Sequence, residues 1–420
     1  MAVIKPFGAL RFTEKAGAVN ELVCPPYDII SEAERLDYLR TNENNVIRLE
    51  LPREGEDPYK TAGEVLDRFL KNGIMATDEK AAVYIYEESF TAYGKPYAVK
   101  GFICRVQLEE FSKGVILPHE ETLSKAKRDR FDLMCATGCN FSQIYSLYND
   151  DGSCEAIINR LSDRAPDIEL TDGDNVTHRL WVAVDSPEVQ TLCAKFADKK
   201  LYIADGHHRY ETALNYRRHL ADSGEACDAA QYVMMCLVAM ENDGLVVFPT
   251  HRIVRDLPDF DKDAMLKKCA DYFDIAPMPD EAAANAALAA AYEANQKAFL
   301  LYKDGYTLLT LRDVSVMEDL LTGSQALKML DVSVLHALVL ERLFGIDKAN
   351  MANQINLTYT RDAKEATAAV DNAQANCAFL LNPTRVEEIR DVAAAGDKMP
   401  QKSTYFYPKL ITGLVMNKIK

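Results

Sequence analysis

The chain has 420 residues, 48% of them hydrophobic and 27% charged, a composition that is typical of globular proteins and excludes extended disorder. The net charge of -16 disfavours a nucleic-acid partner, because a phosphate backbone repels an acidic surface. No segment has the roughly 20 consecutive apolar residues of a membrane span, so we expect a soluble cytoplasmic protein without a membrane partner.

The length exceeds what one ordinary hydrophobic core supports, and we predict two regions, residues 1–250 and 251–420. The ten cysteines are scattered, many of them within apolar runs, which is typical of reduced core thiols. Cys135 and Cys139 are the one close pair, and no second pair or nearby histidine completes a zinc pattern.

Strand-like and helix-like stretches alternate in the first half and predict an α/β or α+β fold. Residues 46–50 alternate apolar and polar side chains like the end of a strand, which would present Arg48 and Glu50 to a loop or pair them across strands. Residues 57–73 combine Asp, Pro, a periodic apolar face and a closing Gly, which predicts a helix. Residues 81–90 and 97–108 predict a hairpin.

A motif with several charged groups begins at Pro118 and is predicted to open a helix that continues through Lys127 and Arg130. Glu120 is suited to a helix start by the dipole alone, or it acts as a general base or a metal-holding group. Lys127 or Arg130 would then face phosphate, although bases on such a helix also form a solvated face.

The segment around Asp205 carries the strongest functional signal in the sequence. Residues 200–204 predict a buried strand and residues 207–220 a helix, with Asp205 and Gly206 between them. A strand that turns at glycine into a helix directs backbone N–H groups and the positive end of the helix dipole at one point. The sequence therefore predicts an anion site at this turn.

Three basic or titratable side chains, His207, His208 and Arg209, occupy the first turn of this helix, where the dipole disfavours cations unless an anion compensates. Adjacent helix residues point in different directions, so one of the two histidines is expected to be structural. Asp205 either caps the helix, orients a histidine or holds a metal.

The second half changes in character, with a turn at residues 242–244 and a domain boundary expected between 245 and 260. The Ala-rich stretch 281–295 predicts an outer packing helix, and residues 298–311 predict short strands. Thr250, His251 and Arg252 follow an apolar strand and offer either a second phosphate contact or ordinary edge-strand polarity.

Residues 202–213 (YIADGHHRYETA) resemble the signature of the bacterial and archaeal domain-of-unknown-function family numbered 1015. Further stretches that resemble the same family are 5–11 (KPFGALR), 24–30 (CPPYDII), 45–49 (NVIRL), 118–122 (PHEET), 249–252 (PTHR) and 399–409 (MPQKSTYFYPK). These stretches run along the whole chain and would make it one long family domain that residues 251–420 complete.

The Gly206–Arg209 element is also similar to the phosphate-binding box of the ParB and sulfiredoxin-like superfamily, which includes free serine kinases. This resemblance implies a mixed-sheet core with added helices and a C-terminal α+β lobe, in which Gly206, His207, His208 and Arg209 hold nucleotide phosphates. The chain has no evident helix-turn-helix after the motif, unlike partition proteins, and no cysteine beside the glycine, unlike sulfiredoxins.

The kinase resemblance implies a phosphotransferase that uses ATP or ADP with Mg²⁺ and acts on a small hydroxyl metabolite such as free serine. Glu120 or Glu50 would orient the hydroxyl, His208 would assist catalysis, and Asp205 would position the metal. A metal-dependent hydrolase built from Asp205, a histidine of the motif, His119 and Glu120 is the first alternative. A nucleotide sensor without turnover is the second.

Overall fold

The computed structural model describes residues 1–122 and 124–420, and their contacts divide the chain into two units. The first unit comprises Met1–Pro118, Thr122–Val246 and Pro408–Lys420, and the second comprises His119–Glu121 and Val247–Tyr407. The expected division into residues 1–250 and 251–420 differs from these units at the C-terminus. Residues 408–420 belong to the first unit because Thr412 bridges to Cys24 and Asn417 pairs with Asn140.

The strands and helices up to residue 247 are, in chain order, β1 (Ile4–Lys5), β2 (Leu10–Phe12), α1 (Glu32–Thr41), α2 (Ile47–Glu50), α3 (Pro58–Lys71), β3 (Met75–Thr77), β4 (Ala82–Ala92), β5 (Lys95–Gln107), β6 (Ile116–Leu117), α4 (Ser124–Thr137), β7 (Cys139–Asn140), β8 (Ile144–Tyr148), α5 (Ser153–Leu161), β9 (Ile168–Thr171), β10 (Thr177–Val184), α6 (Pro187–Ala194), β11 (Leu201–Asp205), α7 (His207–Asp222), β12 (Tyr232–Ala239) and β13 (Val246–Val247). Those that follow are β14 (His251–Val254), α8 (Lys262–Cys269), β15 (Phe273–Met278), α9 (Glu281–Glu293), β16 (Ala298–Tyr302), β17 (Tyr306–Leu311), α10 (Gln325–Lys328), α11 (Asp331–Val334), α12 (Lys348–Ala352), β18 (Leu357–Thr360), α13 (Ala363–Asp371), β19 (Cys377–Leu381), α14 (Val386–Ala394), β20 (Phe406–Tyr407) and β21 (Asn417–Lys418). A π-helix spans Leu335–Leu343.

A mixed sheet forms the framework of the first unit, with strand order β6-β11-β8-β12-β5-β4-β10-β9 and β1 paired to β5. The pairs β11/β6 and β12/β8 are parallel, and the other pairs of this sheet are antiparallel. β8 is buried along its whole length, and β12 is buried except at its last residue, Ala239. The predicted mixed α/β class is therefore confirmed.

The hairpin of β4 and β5 matches the prediction from the sequence. Its two strands pair from Tyr84 opposite Ile103 to Ala92 opposite Lys95. Tyr93 and Gly94 close the turn with φ values of 50° and 71°. Positive φ at both central residues is the geometry that matches the twist of the flanking strands.

The predicted helix at residues 57–73 is α3, and its start is set by Asp57. The Asp57 carboxylate accepts hydrogen bonds from the backbone N–H groups of Tyr59 and Lys60, and Pro58 occupies the first helical position. Its buried residues are Ala62, Val65, Leu66 and Phe69. This spacing gives one apolar stripe that packs into the core.

The second unit contains a six-stranded sheet in the order β15-β17-β16-β19-β14-β18, whose adjacent strands are antiparallel. The predicted Ala-rich helix is α9, which buries Ala284, Leu288 and Ala291 against the core of this unit. The predicted strands at 298–311 are β16 and β17. No helix of the described residues combines the length and apolar character that crossing a bilayer requires.

Two local predictions are wrong. Residues 47–50 form the short helix α2 instead of a strand end, because the buried Asn45 side chain accepts from Ile47 N–H and donates to the carbonyl groups of Glu21 and Val23. Glu120 does not open a helix. It forms a β-bridge with Met399, and α4 begins at Ser124.

Replacing Gly63 in α3 tests the close packing of this helix in the first unit. A Cβ atom at Gly63 would lie 2.7 Å from the carbonyl oxygen of Ala136 in α4. We expect Gly63→Ala to lower the free energy of unfolding by about 1–3 kcal/mol, although alanine has the higher helix propensity. Chemical denaturation measures the change, and Glu64→Ala, at an exposed neighbour, should stay within about 0.5 kcal/mol of the wild type. A stabilised Gly63→Ala would contradict the packing.

Candidate functional site in the first unit

The turn at Asp205 and Gly206 joins β11 to α7. β11 lies between β6 and β8, and its register with β8 shifts between Ile203 and Asp205, which bends the strand end before the turn. Gly206 is in the left-handed region, with φ 94° and ψ 27°, and α7 begins at His207. The N-cap residue of α7 is Gly206, which has no side chain to cap the helix, so the predicted capping role of Asp205 is not observed.

Asp205 instead forms two ion pairs. Its Oδ1 atom accepts from Lys409 Nζ at 2.5 Å, and its Oδ2 atom accepts from Arg209 Nη2 at 2.5 Å. Burial by itself raises the pKa of Asp205, but the charges of Lys409, Arg209 and His207 outweigh burial and hold that pKa well below its usual range. Asp205 is therefore a carboxylate at neutral pH.

Arg209 folds back over the turn. Its Nη1 atom donates to the carbonyl oxygen of Gln143 at 2.5 Å, while Nη2 bonds Asp205. Glycine is favoured at position 206 by its left-handed backbone conformation, and a Cβ atom there would lie 2.8 Å from Arg209 Nε and would displace that side chain. The anion that compensates the cation at the helix start is thus Asp205 itself.

The two histidines of the motif differ in burial. His207 is buried, with 4% of its surface exposed, whereas His208 is half-buried. Of the remaining motif side chains, Tyr210 Oη donates to the carbonyl oxygen of Glu109, and Glu211 accepts from Thr122 and Lys127. Lys127 is consequently held by an ion pair at 2.7 Å to Glu211.

Glu50, one of the two predicted general bases, is buried in the first unit at the end of α2. Its Oε1 atom accepts from Ser142 Oγ at 2.8 Å and lies 3.6 Å from Arg130 Nη1. Arg130 also donates to the Glu50 carbonyl oxygen, pairs with Asp129 and lies over the Tyr27 ring, with its guanidinium carbon 4.0 Å from the ring centroid.

Burial raises the pKa of Glu50, and the opposing effects of Arg130, of the Ser142 hydrogen bond and of Arg209 do not cancel it. A carboxyl group with a raised pKa is a better proton acceptor than an ordinary glutamate at neutral pH. Asp28, which also contributes to this raised pKa, lies in the CPPYDII stretch that resembles the family.

Glu50 and Arg209 line the same cavity, together with Arg130, Ser142 and Thr212. The cavity has a volume of about 30 Å³, enough for one or two water molecules. The structure thus brings together the predicted phosphate-binding arginine and one predicted base. A nucleotide requires more space than this conformation offers.

The other predicted site residues belong to the second unit, so the cluster of the first unit is built without them. Glu120 Oε1 accepts from Lys402 N–H, and the neighbouring His119 Nε2 bonds Thr404 Oγ1. Thr250 directly precedes β14, and His251 and Arg252 begin it. This strand is second from the edge of its sheet and is not the edge strand that the alternative prediction implied.

His251 and Arg252 are buried, which limits their role as a phosphate contact. His251 Nδ1 accepts from the Leu381 N–H, and burial lowers its pKa to about 4, with the charge of Arg252 adding to the effect. Arg252 donates to the carbonyl oxygen of Thr250. The ring of His251 is therefore neutral and serves as a backbone acceptor.

The donor set at Asp205 does not fit a metal ion held by the protein. Both oxygens of Asp205 accept from cations, and among the described residues no group of three or more His, Cys, Asp or Glu side chains is placed to hold one. A Mg²⁺ ion that is bound to nucleotide phosphates would need only one or two carboxylates from the protein.

The sequence prediction missed the partners that define the cluster. Lys409 pairs with Asp205, although no local pattern in the sequence links these two residues. No role is predicted for Ser142, which donates to Glu50. The sequence predicts that Arg130 faces phosphate, but Arg130 contacts Glu50. The YPK end of the 399–409 stretch was the one available signal for Lys409, through its resemblance to the family.

Comparison with solved structures finds distant similarity over most of the chain. A conserved hypothetical protein from Pyrococcus furiosus is 13% identical, with 73% of this chain and 90% of that chain covered and a TM-score of 0.35. A free serine kinase in complex with AMP is 12% identical, with 77% and 92% covered and a TM-score of 0.37. SbnI with a C-terminal truncation, from Staphylococcus aureus, is 10% identical, with 74% and 85% covered and a TM-score of 0.35.

Comparison with curated proteins finds no match to this sequence. The family resemblance predicted from the Asp205 motif is confirmed by a family model that matches residues 4–333, a range that does not include the stretch at 399–409. The chain belongs to the family described as "Protein of unknown function (DUF1015)".

Proposed function

We propose that the first unit is a nucleotide-dependent phosphotransferase that acts on a small hydroxyl metabolite, with free serine as the acceptor that the sequence resemblance suggests. The observation that carries this proposal is the shared cavity of Glu50 and Arg209, which combines a buried proton acceptor with a cation at a helix start. The ParB and sulfiredoxin-like relationship of the Gly206–Arg209 element is part of the same proposal.

In the proposed reaction, backbone N–H groups of the first turn of α7, His208 and Arg209 hold the phosphates of ATP or ADP. Phosphoryl transfer depends mostly on positioning and charge neutralisation, which these groups supply. Arg209 must leave its position over Gly206 for phosphate to reach the turn. Lys409 then remains on Asp205 and keeps that carboxylate paired.

Glu50 takes the proton of the acceptor hydroxyl while the hydroxyl oxygen bonds to the terminal phosphorus and the bond to the leaving nucleotide oxygen breaks. Ser142 orients the carboxylate through Oε1, which leaves Oε2 for the acceptor. Arg130, held by Asp129 and stacked on Tyr27, opposes the effect of burial on the pKa of Glu50. The proposal makes Glu50 the base in preference to Glu120, because Glu50 shares the cavity with Arg209.

A nucleotide sensor without turnover is the second candidate. The small cavity of about 30 Å³ and the Arg209–Asp205 ion pair favour it, because nucleotide binding would have to change both, and a sensor requires a change of conformation on binding. Nucleotide affinity with no phosphorylated product from serine or another hydroxyl acceptor would identify the sensor.

Glu50→Gln should abolish most of the turnover. We expect kcat for phosphoserine formation from ATP or ADP, Mg²⁺ and serine to fall about 10²–10⁴-fold, with nucleotide affinity unchanged, because the amide keeps the shape but accepts no proton. Phosphorus NMR measures the product, and Glu56→Gln, at an exposed position, serves as the control. The proposal fails if the wild type neither forms phosphoserine nor binds nucleotide.

Arg209→Lys should weaken nucleotide binding by about tenfold or more, because lysine cannot reproduce the planar fork that bonds phosphate oxygens in pairs. Isothermal titration calorimetry with ADP measures the dissociation constant. Arg218→Lys changes a half-exposed arginine on the same helix and should leave the constant unaltered. Equal affinity in Arg209→Lys and the wild type would remove Arg209 from the phosphate site.

The raised pKa of Glu50 predicts opposite pH trends for activity and stability. Turnover should rise with pH through this pKa, because the base acts as carboxylate. Between the ordinary glutamate pKa of about 4.3 and the raised value, the folded chain binds more protons than the unfolded chain, so the Glu50 contribution to stability falls as pH rises. Denaturation of wild type and Glu50→Gln from pH 4 to 8 should show the variant gaining relative stability with pH; a constant difference would contradict the raised pKa.

A further inference from the structure

Arg252 is a buried cation without a carboxylate partner. It is 1% exposed, and within residues 1–122 and 124–420 its side chain bonds only neutral acceptors. These acceptors are His336 Nε2 at 3.1 Å and the carbonyl oxygens of Thr250, Gln401 and Lys402. Burial lowers the pKa of Arg252 to about 10, so it stays charged at neutral pH. A buried charge is costly unless an anion compensates it.

The neighbours of Arg252 line a cavity in the second unit. His336, Tyr359 and Gln401 contact Arg252 on one side and the cavity on the other, and the guanidinium carbon lies 5.4 Å from the centroid of the Tyr359 ring. The cavity volume is about 180 Å³. An apolar cavity of about 150 Å³ is known to hold benzene, so this space suits a ligand of six to nine heavy atoms by order of magnitude.

His336 presents a hydrogen-bond donor because of Arg252. Since the Arg252 Nε–H donates to His336 Nε2, the neutral ring carries its proton on Nδ1. Burial, with the charge of Arg252, holds the pKa of His336 well below its usual range, so the ring stays neutral.

Ser333 supplies a second polar group. It is 1% exposed, lines the same cavity, and its Oγ atom has no hydrogen-bond partner among the described residues. Buried hydroxyl groups in native structures are normally hydrogen-bonded, so the Ser333 hydroxyl is left to donate to an acceptor in the cavity. His336 also lies on the π-helix Leu335–Leu343, a rare conformation that is frequent at functional sites.

We propose that this cavity binds a small organic acid, whose carboxylate accepts from Ser333 and His336 and whose apolar part lies against Leu327 and Met351. The carboxylate compensates the charge of Arg252 because it bonds the His336 ring, which Arg252 polarises. The apolar residues of the cavity fit a hydrocarbon group, which free phosphate does not have. The lining also includes Lys348 and Lys398 with Glu121 and Glu341, whose charges balance one another. This site is separate from the residues of the proposed phosphotransferase.

The experiment uses the full chain and a set of monocarboxylates, namely isobutyrate, isovalerate, 4-methylvalerate and benzoate, with binding followed by saturation-transfer NMR and calorimetry. At least one acid should bind, and its neutral amide, such as isovaleramide for isovalerate, should bind at least about tenfold more weakly. Inorganic phosphate should not displace the acid. Binding of none of the acids, equal binding of the amide, or displacement by phosphate would overturn the proposal.

Ser333→Ala separates a ligand-binding hydroxyl from a structural one. Removing a hydroxyl that has no partner should leave the melting temperature unchanged or raised, and should weaken acid binding about tenfold. Ser315→Ala, at an exposed serine of the same unit, should change neither. A lowered melting temperature with unchanged acid affinity would assign Ser333 to the fold alone and would overturn its role in the site.

Discussion

The shared carboxylate of Asp205 is the interaction on which the site of the first unit depends. It joins the end of β11, the first turn of α7 and Lys409 near the C-terminus, which are distant in sequence. Because two cations share one carboxylate, a positive charge remains at a helix start whose dipole is already positive. The two ion pairs hold the turn, and the excess positive charge would favour an anion, a combination that a simple capping aspartate would not give.

Two carboxyl groups of the candidate site, Asp205 and Glu50, have opposite electrostatic surroundings. Asp205 has two cations in direct contact, which hold its pKa low. Glu50 has Arg130 at a longer distance and one hydroxyl donor, so burial dominates and its pKa is raised. Environments that separate the pKa values of two carboxyl groups also separate their roles. Asp205 suits a permanent counterion, and Glu50 suits a group that exchanges a proton.

Local signals in the sequence were sufficient where neighbouring residues decide the structure. Asp57 and Pro58 start α3, and the β4/β5 turn follows from its residues. The α2 helix was missed because Asn45 is fixed by carbonyl groups more than 20 residues away. The Asp205 turn was found from its glycine and helix pattern, but Lys409 was not assigned to it, since an ion pair across 204 residues leaves no local pattern.

Arg209 and Arg252 show how the same residue type carries different functional information. Arg209 has a carboxylate at 2.5 Å, so its charge is compensated and a ligand must compete with Asp205 for it. Arg252 is more deeply buried and bonds neutral acceptors alone among the described residues, so a ligand anion would have no carboxylate to displace. The cost of removing Arg252 from water is already part of the free energy of folding. The binding free energy gained from an added anion is therefore larger at Arg252 than at Arg209. The arginine with the weaker sequence signal thus has the stronger physical requirement for an anion.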